Sequence, residues 1–378
     1  MKFRNIKITT FCLFFLLFAA QLLFSQEIST KNGVKHIHNK KPKWGDEPEV
    51  KLLLLQQYGE LDPDDEKYMM NDIMDVIQDK DKNVYILEMK NNRIKIFNHK
   101  GKYLKTIGRG GQGPGEFQWP NILNFDLNED IYVFEPLSRM LKIINKNGKE
   151  KTRFIAGKGT DFRDLRILES GQIVASLAGF TTRALIKKED FPLFNIFDIK
   201  GNLIKTFGEA GFFKIHEIKG KISYEIGGGI EFEISDNNTI LYTELGNNII
   251  GKLDLNGETI YTADRPLKYQ VKRMNVNPVH SRLKVSTGIG VDQMGNIWVS
   301  TITKYPIPKS RSRFENFEFG RTKIRPEYAQ FEVFSNDGIY LGYIPVPISS
   351  FKWRIIDDRL LMIDEYMTTV YEYKIVYN

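Results

Sequence analysis

Six copies of one strand-turn-strand pattern constrain the fold of this 378-residue chain more than any other sequence feature. In the two clearest copies, residues 79–98 and 126–145, a polar turn leads into a short apolar strand that ends on an acid, Glu88 or Glu135. A second turn, another strand and a glycine-centred turn follow. The strand after the first turn begins near Val84, Ile131, Ile173, Ile240, Ile297 and Leu360. We therefore count six units.

The spacing of these units predicts an all-β fold. Short strands joined by Gly, Asn and Asp turns and repeated every 42 to 67 residues are typical of four-stranded propeller blades. Such a blade is too small to bury its own apolar face, so neighbouring blades must stack in a ring. A β-sandwich would not repeat the same pattern six times. The sequence thus predicts a six-bladed β-propeller of four-stranded antiparallel blades.

The chain ends predict how the ring closes. The last unit stops at Asn378 after its third strand, and the run EVKLLLLQQY at residues 49–58 forms a strand with no unit of its own. Pairing this N-terminal strand into the last blade would cover an open sheet edge. We expect the propeller to span residues 49–378 and residues 26–48 to form a polar lead-in.

The first 25 residues are typical of a signal peptide. An apolar run of 14 residues, 11–24, is too short to span a bilayer, and we expect cleavage after Ser25. The alternative is an uncleaved membrane anchor. The single cysteine, Cys12, lies inside this run, so the mature chain has no disulfide. The sequence therefore predicts an exported protein of the periplasm or cell surface, without a stable transmembrane segment after cleavage.

The net charge argues against a nucleic-acid partner. The whole chain carries +7, and removing the three basic residues of the signal leaves 7 − 3 = +4. A mildly basic balance in an exported protein does not indicate binding to nucleic acid.

One linker carries a family resemblance. The segment KTIGRGGQGPGEFQWPNI, residues 105–122, resembles the linker between NHL repeats, in which a Gly-rich turn, Gly-Glu-Phe and then Pro precede the next inner strand. The resemblance implies a six-bladed propeller like the exported Bacteroidetes proteins of unknown function. Residues 108–113 also fit the GxGxxG dinucleotide pattern, but Pro114 and Pro120 follow where a helix should begin. We therefore interpret this motif as an inter-blade turn.

The fifth unit contains a basic and aromatic insertion, residues 303–328. Arginines interleaved with aromatic rings on a loop suit anionic or carbohydrate partners, through bidentate hydrogen bonds and stacking. The alternative is a long hairpin whose rings pack on its own blade. The candidate ligand-binding residues are Tyr305, Arg311, Arg313, Phe317, Arg321 and Arg325.

Polar residues near the inner strands are candidates for a channel site: Asn71, Asp72, Asn121, Asn124, Arg163, Asp164, Glu231 and Glu233, with Lys352 and Arg354. Propeller enzymes resembling gluconolactonase hold Ca²⁺ or another divalent cation with such oxygens. The basic residues in this set would repel a cation, and the five histidines have no zinc-type spacing. We therefore expect no metal and no cofactor.

The acids that recur at strand ends, Glu88, Glu135 and Glu244, suit structural hydrogen bonds to turns or to a nearby base. Asp79 and Asp126 are expected to cap the turns that follow them. Together these features favour an exported, non-catalytic recognition or scaffold propeller that binds a protein or glycan partner. The alternative is a divalent-cation-dependent hydrolase or lyase of the lactonase-like type.

Overall fold

The computed structural model describes residues 26–59, 64–155, 162–177, 192–209, 213–218, 221–226, 229–235, 237–270, 273–276, 279–282, 285–304 and 323–378. The regular elements in these ranges are all strands. No described helix has the length and apolar character that crossing a membrane requires. Three strands precede the first blade: β1 (Gln26–Lys31), β2 (Val34–Asn39) and β3 (Val50–Tyr58).

Blades one to three follow in chain order. Blade one comprises β4 (Ile73–Gln78), β5 (Val84–Glu88), β6 (Arg93–Phe97) and β7 (Tyr103–Ile107). Blade two comprises β8 (Ile122–Phe125), β9 (Ile131–Glu135), β10 (Met140–Ile144) and β11 (Glu150–Ile155). Blade three comprises β12 (Phe162–Ile167), β13 (Ile173–Leu177), β14 (Pro192–Phe197) and β15 (Leu203–Glu209).

Blades four to six are interrupted by two extra hairpins. The first hairpin is β16 (Phe213–Ile218) and β17 (Lys221–Ile226), and blade four follows with β18 (Ile230–Ile234), β19 (Ile240–Glu244), β20 (Ile249–Leu253) and β21 (Thr259–Asp264). The second hairpin is β22 (Arg273–Val276) and β23 (Val279–Arg282). Blade five has β24 (Ser286–Val291), β25 (Ile297–Ile302), β26 (Ala329–Phe334) and β27 (Tyr340–Pro345). Blade six has β28 (Ser350–Ile356), β29 (Arg359–Asp364) and β30 (Val370–Tyr377).

These strands form a closed six-bladed β-propeller, as the repeats predicted. The first strand of each blade contacts the first strand of the next, all the way round from β4 to β28 and back to β4. Large apolar side chains fill the space between neighbouring blades. Phe134 of blade two, for example, packs its ring 5.4 Å from that of Phe162 in blade three. Stacking therefore buries the faces that one blade could not bury alone.

Closure of the ring follows the predicted route. β3 pairs antiparallel with β30 from Val50↔Tyr377 to Tyr58↔Val370, and so supplies the fourth strand of blade six. The ends of β3 are anchored in the core, because Val50 and Tyr58 are buried. Its middle is the outermost part of the blade, which leaves Leu53, Leu54 and Leu55 about half exposed.

The polar segment before β3 is ordered along the outside of the ring. β1 and β2 form a hairpin, and β2 pairs parallel with β21, which extends blade four to six strands. The backbone of Lys43 and Trp44 then donates to carbonyls of β27 in blade five. Residues 26–58 thus cross the outer edges of blades four, five and six in turn, and we call this segment the N-terminal belt.

The two ends of the ring differ in their connections. One end, the turn end, carries the connections between first and second and between third and fourth strands. Ten of these eleven connections have five residues, as in 79–83 and 98–102, and one has two. The other end, the linker end, carries the connections between second and third strands and between blades. It holds every longer connection, including 178–191 and 303–328.

A repeated side-chain contact explains the five-residue turns. The first residue is usually Asp or Asn, and its side-chain oxygen accepts the N–H groups two and four residues later. Asp126 accepts from Asn128 and Asp130 at 2.9 Å, as Asp198 and Asp254 do in their own turns. This confirms that the turn-forming acids act as caps. The two extra hairpins, which leave from the linker end, join through parallel pairing of β17 with β23 into a separate sheet.

Candidate functional site

The inner strands line the channel with balanced charge. The six first strands, β4, β8, β12, β18, β24 and β28, contribute four acids and four bases among their described residues: Asp75, Asp164, Glu231 and Glu233, with Arg163, Arg166, Lys352 and Arg354. The mixed charge that the sequence indicated is therefore balanced on these strands. We call these eight residues the channel network.

Asp75 is the most buried member of the channel network. Its side chain is 0% exposed, and its carboxylate lies 2.6 Å from the Lys352 ammonium and 2.7 Å from the Arg354 guanidinium. The same carboxylate accepts the backbone N–H of Leu123 at 3.0 Å. One side chain of blade one therefore joins blades six and two.

A second part of the network joins blades three and four. Arg166 donates to Glu233 at 2.8 Å and lies 2.9 Å from Asp164, while Arg163 donates to Glu231 at 2.9 Å. Burial lowers the pKa of Arg166, but Asp164 and Glu233 outweigh burial and raise this pKa above its ordinary value. Arg166 therefore stays charged inside the ring.

Arg354 connects the two parts. It donates to the side chain of Asn124 at 3.2 Å, and its guanidinium lies 3.9 Å from Asp164. Opposite charges thus face one another across the channel rather than leaving like charges together. Each acid has a guanidinium or ammonium within 3 Å, so the charges of the network are paired within the network.

A small cavity remains beside the network, between the inner strands of blades three to six. Its lining includes Asp164, Glu231, Thr287 and Lys352. Ile324, near the end of the insertion of blade five, also lines it and is 2% exposed. Two backbone hydrogen bonds with Ser350, at 2.8 and 2.9 Å, fix Ile324 there. The last part of the insertion therefore closes the cavity on one side.

The predicted channel residues fall into two groups. Asn124, Arg163, Asp164, Glu231 and Glu233 do lie on inner strands and take part in the contacts above. The other three lie just before inner strands, at the linker end. The backbone of Asn71 donates to Glu88 at 3.0 Å, Asp72 pairs with Lys90 at 2.6 Å, and the backbone of Asn121 donates to Phe134 at 3.0 Å.

Two members of the network were missed by sequence reasoning. Asp75 lies inside the run IMDVIQ and Arg166 inside FRDLRI, where apolar neighbours suggested buried blade packing. A useful signal was available: both residues are charged and lie within a run that forms an inner strand. A charge at such a position requires a partner from another blade.

The structure describes only one of the predicted insertion residues. Tyr305, Arg311, Arg313, Phe317 and Arg321 lie outside the described residues. Arg325 is described, and it pairs with Glu365 of blade six at 2.8 Å. This residue therefore links two blades at the linker end. Its role in ligand binding stays a prediction.

The recurring acids have the structural role that their positions indicated. Glu88, which is fully buried, accepts the backbone N–H of Asn71 and pairs with Arg93 in the same blade. Glu135 pairs with the buried ammonium of Lys142 at 2.6 Å. Each acid thus ties a blade to the linker that precedes its inner strand.

The Gly-rich linker of residues 108–118 uses its N–H groups internally. Gly111 donates to the carbonyl of Phe117 at 3.1 Å, Gly113 to the carboxylate of Glu116 at 2.8 Å, and Gly115 to that of Glu150 at 3.0 Å. A strand, β8, follows the linker, rather than a helix. This confirms the interpretation of the motif as an inter-blade turn and leaves no row of free donors for a phosphate.

Trp119, at the end of this linker, was not singled out from the sequence. Its φ angle is +52°. Residues other than glycine rarely adopt this backbone conformation, which costs about 1–2 kcal/mol. Its side chain is nevertheless 46% exposed. The backbone N–H donates to the side-chain oxygen of Asn92 at 2.7 Å, and Asn92 itself has a φ of +50°. A strained backbone therefore holds an exposed indole at the linker end.

The fold defines the class of the protein, and comparisons show that the chain is similar to known propellers. The protein is a six-bladed β-propeller, and residues 65–240 match the model of the family DUF5128, described as 6-bladed beta-propeller. A search of the curated proteins found no match.

Solved structures show the same fold at low sequence identity. A DUF4221 family member from Bacteroides vulgatus is 13% identical with a TM-score of 0.58, over 87% of this chain and 99% of that chain. A Bacteroides fragilis protein named as an inferred exported protein is 11% identical with a TM-score of 0.58, over 91% and 99%. A protein of unknown function from Bacteroides thetaiotaomicron has a TM-score of 0.50, 10% identity and coverage of 86% and 76%.

Proposed function

We propose that this protein is an exported, non-catalytic recognition propeller that binds a protein or glycan partner with the linker end of its ring. The observation that carries the proposal is the contrast between the channel and that end. In the channel, four acids and four bases pair with one another. At the linker end, long connections and exposed side chains leave the ring. Binding residues commonly lie on loops that a rigid scaffold positions.

The linker end exposes an aromatic ring in addition to aliphatic side chains. Leu137 is 79% exposed and Tyr366 69% exposed, and both lie in connections between second and third strands. Arg325, near the end of the insertion, lies at the same end and pairs there with Glu365. Aromatic residues, together with Arg, are enriched where proteins bind partners, so this composition suits a recognition surface.

A matched pair of variants tests which end binds. Leu127 and Leu137 are exposed leucines of the same blade, but Leu127 lies at the turn end and Leu137 at the linker end. We expect Leu137→Glu to reduce capture of the partner by the immobilised full-length protein, and Leu127→Glu to leave capture unchanged. Equal effects of the two variants would contradict a linker-end site.

A deletion tests the predicted role of the insertion. Removing residues 306–322 leaves in place Ile324, which is bonded to Ser350, and Arg325, which pairs with Glu365, so blade five keeps these contacts with blade six. We expect the deletion to change the set of captured partners, because it removes the Arg-rich and aromatic segment. An unchanged partner set would remove the insertion from the proposal and leave the rest of the linker end as the candidate surface.

The alternative function, a divalent-cation-dependent hydrolase or lyase, has less support from the channel. A hard cation needs several oxygens free of competing positive charge. Here Lys352 and Arg354 already contact Asp75, and Arg166 lies between Asp164 and Glu233. In the part of the chain that the structure describes, no three His, Cys, Asp or Glu side chains are grouped to hold a metal. A divalent metal found in the purified protein, together with a calcium-dependent shift in its melting temperature, would support this function.

A further inference from the structure

Trp119 differs from the other tryptophans of the chain. The sequence contains four. Trp298 is 0% exposed, Trp353 is 7% exposed, and Trp44 packs on Gly342 at the outer edge of blade five. Trp119 alone among them belongs to the exposed large apolar residues. Its indole therefore contributes much less to the core than theirs.

The residues on both sides of Trp119 hold it at the surface. Phe117, two residues earlier, is 0% exposed in the core between blades one and two, and Pro120, the next residue, is also buried. Between these anchors the positive φ of Trp119 and its hydrogen bond to Asn92 fix the direction of the chain. A strained conformation that the surroundings enforce at a surface position is typical of ligand contacts.

The linker that carries Trp119 is polar at its exposed positions. Asn92 accepts the backbone N–H of Trp119, Arg109 pairs with Glu116 in the same linker, and Gln118 directly precedes Trp119. An exposed ring on a polar linker suits a partner that has both a flat C–H face and hydroxyl groups. A protein anchor would instead need apolar neighbours.

We infer that Trp119 is the stacking platform of a carbohydrate-binding subsite at the linker end, where it packs against one sugar ring. This inference rests on the proposed recognition function and specifies its ligand class. The electron-rich face of the indole attracts the C–H groups of a sugar ring. Because the platform is already rigid, little ordering entropy opposes binding.

Affinity electrophoresis tests the inference with the full mature chain and five soluble polysaccharides: a β-glucan, an α-glucan, a mannan, a xylan and a polygalacturonate. We expect at least one of them to retard the wild-type protein. Trp119→Ala should weaken this binding at least tenfold, Trp119→Phe should retain part of it, and Leu127→Ala at the turn end should behave as wild type. No retardation of the wild type, or equal retardation of Trp119→Ala, would overturn the inference.

Fluorescence quenching supplies a second readout that reports on the ring itself. Iodide should quench the wild-type tryptophan fluorescence more strongly than that of Trp119→Phe, and the retarding polysaccharide should protect the wild-type signal. A polysaccharide that binds without protecting the signal would contradict stacking. If Leu137→Glu removes a protein partner while no polysaccharide binds, the recognition function stands and the carbohydrate subsite fails. If polysaccharide binding depends on Trp119 while Leu137→Glu has no effect, the subsite stands and the wider protein surface fails.

Discussion

Replacing Asp75 by asparagine perturbs the centre of the channel network without changing its volume. The amide has the same shape as the carboxylate and can still accept the backbone N–H of Leu123, so no cavity forms. What changes is charge: the ammonium of Lys352, at 2.6 Å, and the guanidinium of Arg354, at 2.7 Å, lose the carboxylate between them. The side chains of Asp75, Lys352 and Arg354 are 0%, 9% and 8% exposed, so water cannot screen the loss.

The expected cost follows from the partners that remain. Breaking a buried ion pair by removing one partner costs about 3–5 kcal/mol. Arg354 keeps its contacts with Asn124 and Asp164, which places Asp75→Asn near the lower end, about 3 kcal/mol. The double variant Asp75→Asn/Lys352→Met removes the excess positive charge. We expect it to be less destabilised than the sum of the single variants by about 1–2 kcal/mol, because the two side chains interact directly.

Urea unfolding followed by tryptophan fluorescence measures this effect. With an m-value of about 3 kcal/mol/M, a loss of about 3 kcal/mol lowers the midpoint by about 1 M. Glu27→Gln is the control, since Glu27 pairs with Lys40 on the exposed hairpin of the N-terminal belt and should leave the midpoint unchanged. A midpoint for Asp75→Asn close to that of the control, or simple additivity in the double variant, would refute the reasoning.

Three further predictions follow from the described contacts. Trp119→Gly should unfold with about 1 kcal/mol more free energy than Trp119→Ala in urea titrations, because only alanine retains the cost of a positive φ; equal values would contradict strain. Asn39→Ala should lower the free energy of unfolding by about 2–3 kcal/mol, because this buried amide makes three hydrogen bonds to blades four and five. Amide hydrogen exchange should become faster in the N-terminal belt and in these two blades; faster exchange confined to other regions would contradict this prediction. For Asp79, burial raises the pKa, but hydrogen bonds from Asn83 and Lys146 outweigh it and lower the pKa below its usual value. Its stabilising effect is therefore present above about pH 4 and lost as pH falls through the lower folded-state pKa, so Asp79→Asn should flatten the acid side of the stability profile.

The repeats predicted the ring because their turns are encoded locally. The strand starts expected at Val84, Ile131 and Ile297 coincide with β5, β9 and β25, since five-residue turns beginning with Asp or Asn set them. The N-terminal hairpin was not predicted, because its polar residues have no apolar alternation. Its position depends on β21, more than 200 residues away in the chain.

The site was less predictable than the fold for a related reason. Sequence position indicated that Asp164 and Glu233 face the channel, but it could not pair them. Arg166 and Glu233 are 67 residues apart, and Asp75 and Arg354 are 279 apart. Such pairs depend on the number of blades and on how the ring closes. Without knowledge of how the ring closes, the same set of polar inner-strand residues is compatible with a metal site and with a network in which acids and bases neutralise one another.

The N-terminal belt bears on which surface is free to bind. It pairs with β21 and β30 and contacts β27, so the outermost strands of blades four and six are β1 and β3 of the belt itself. The turn end has uniform short turns, whose side-chain oxygens are already used as caps. The channel is filled by paired charges. Of these surfaces, only the linker end combines connections of variable length with exposed rings. A partner that needs a distinctive surface would therefore bind there, where Trp119 and Tyr366 are held on a closed and rigid ring.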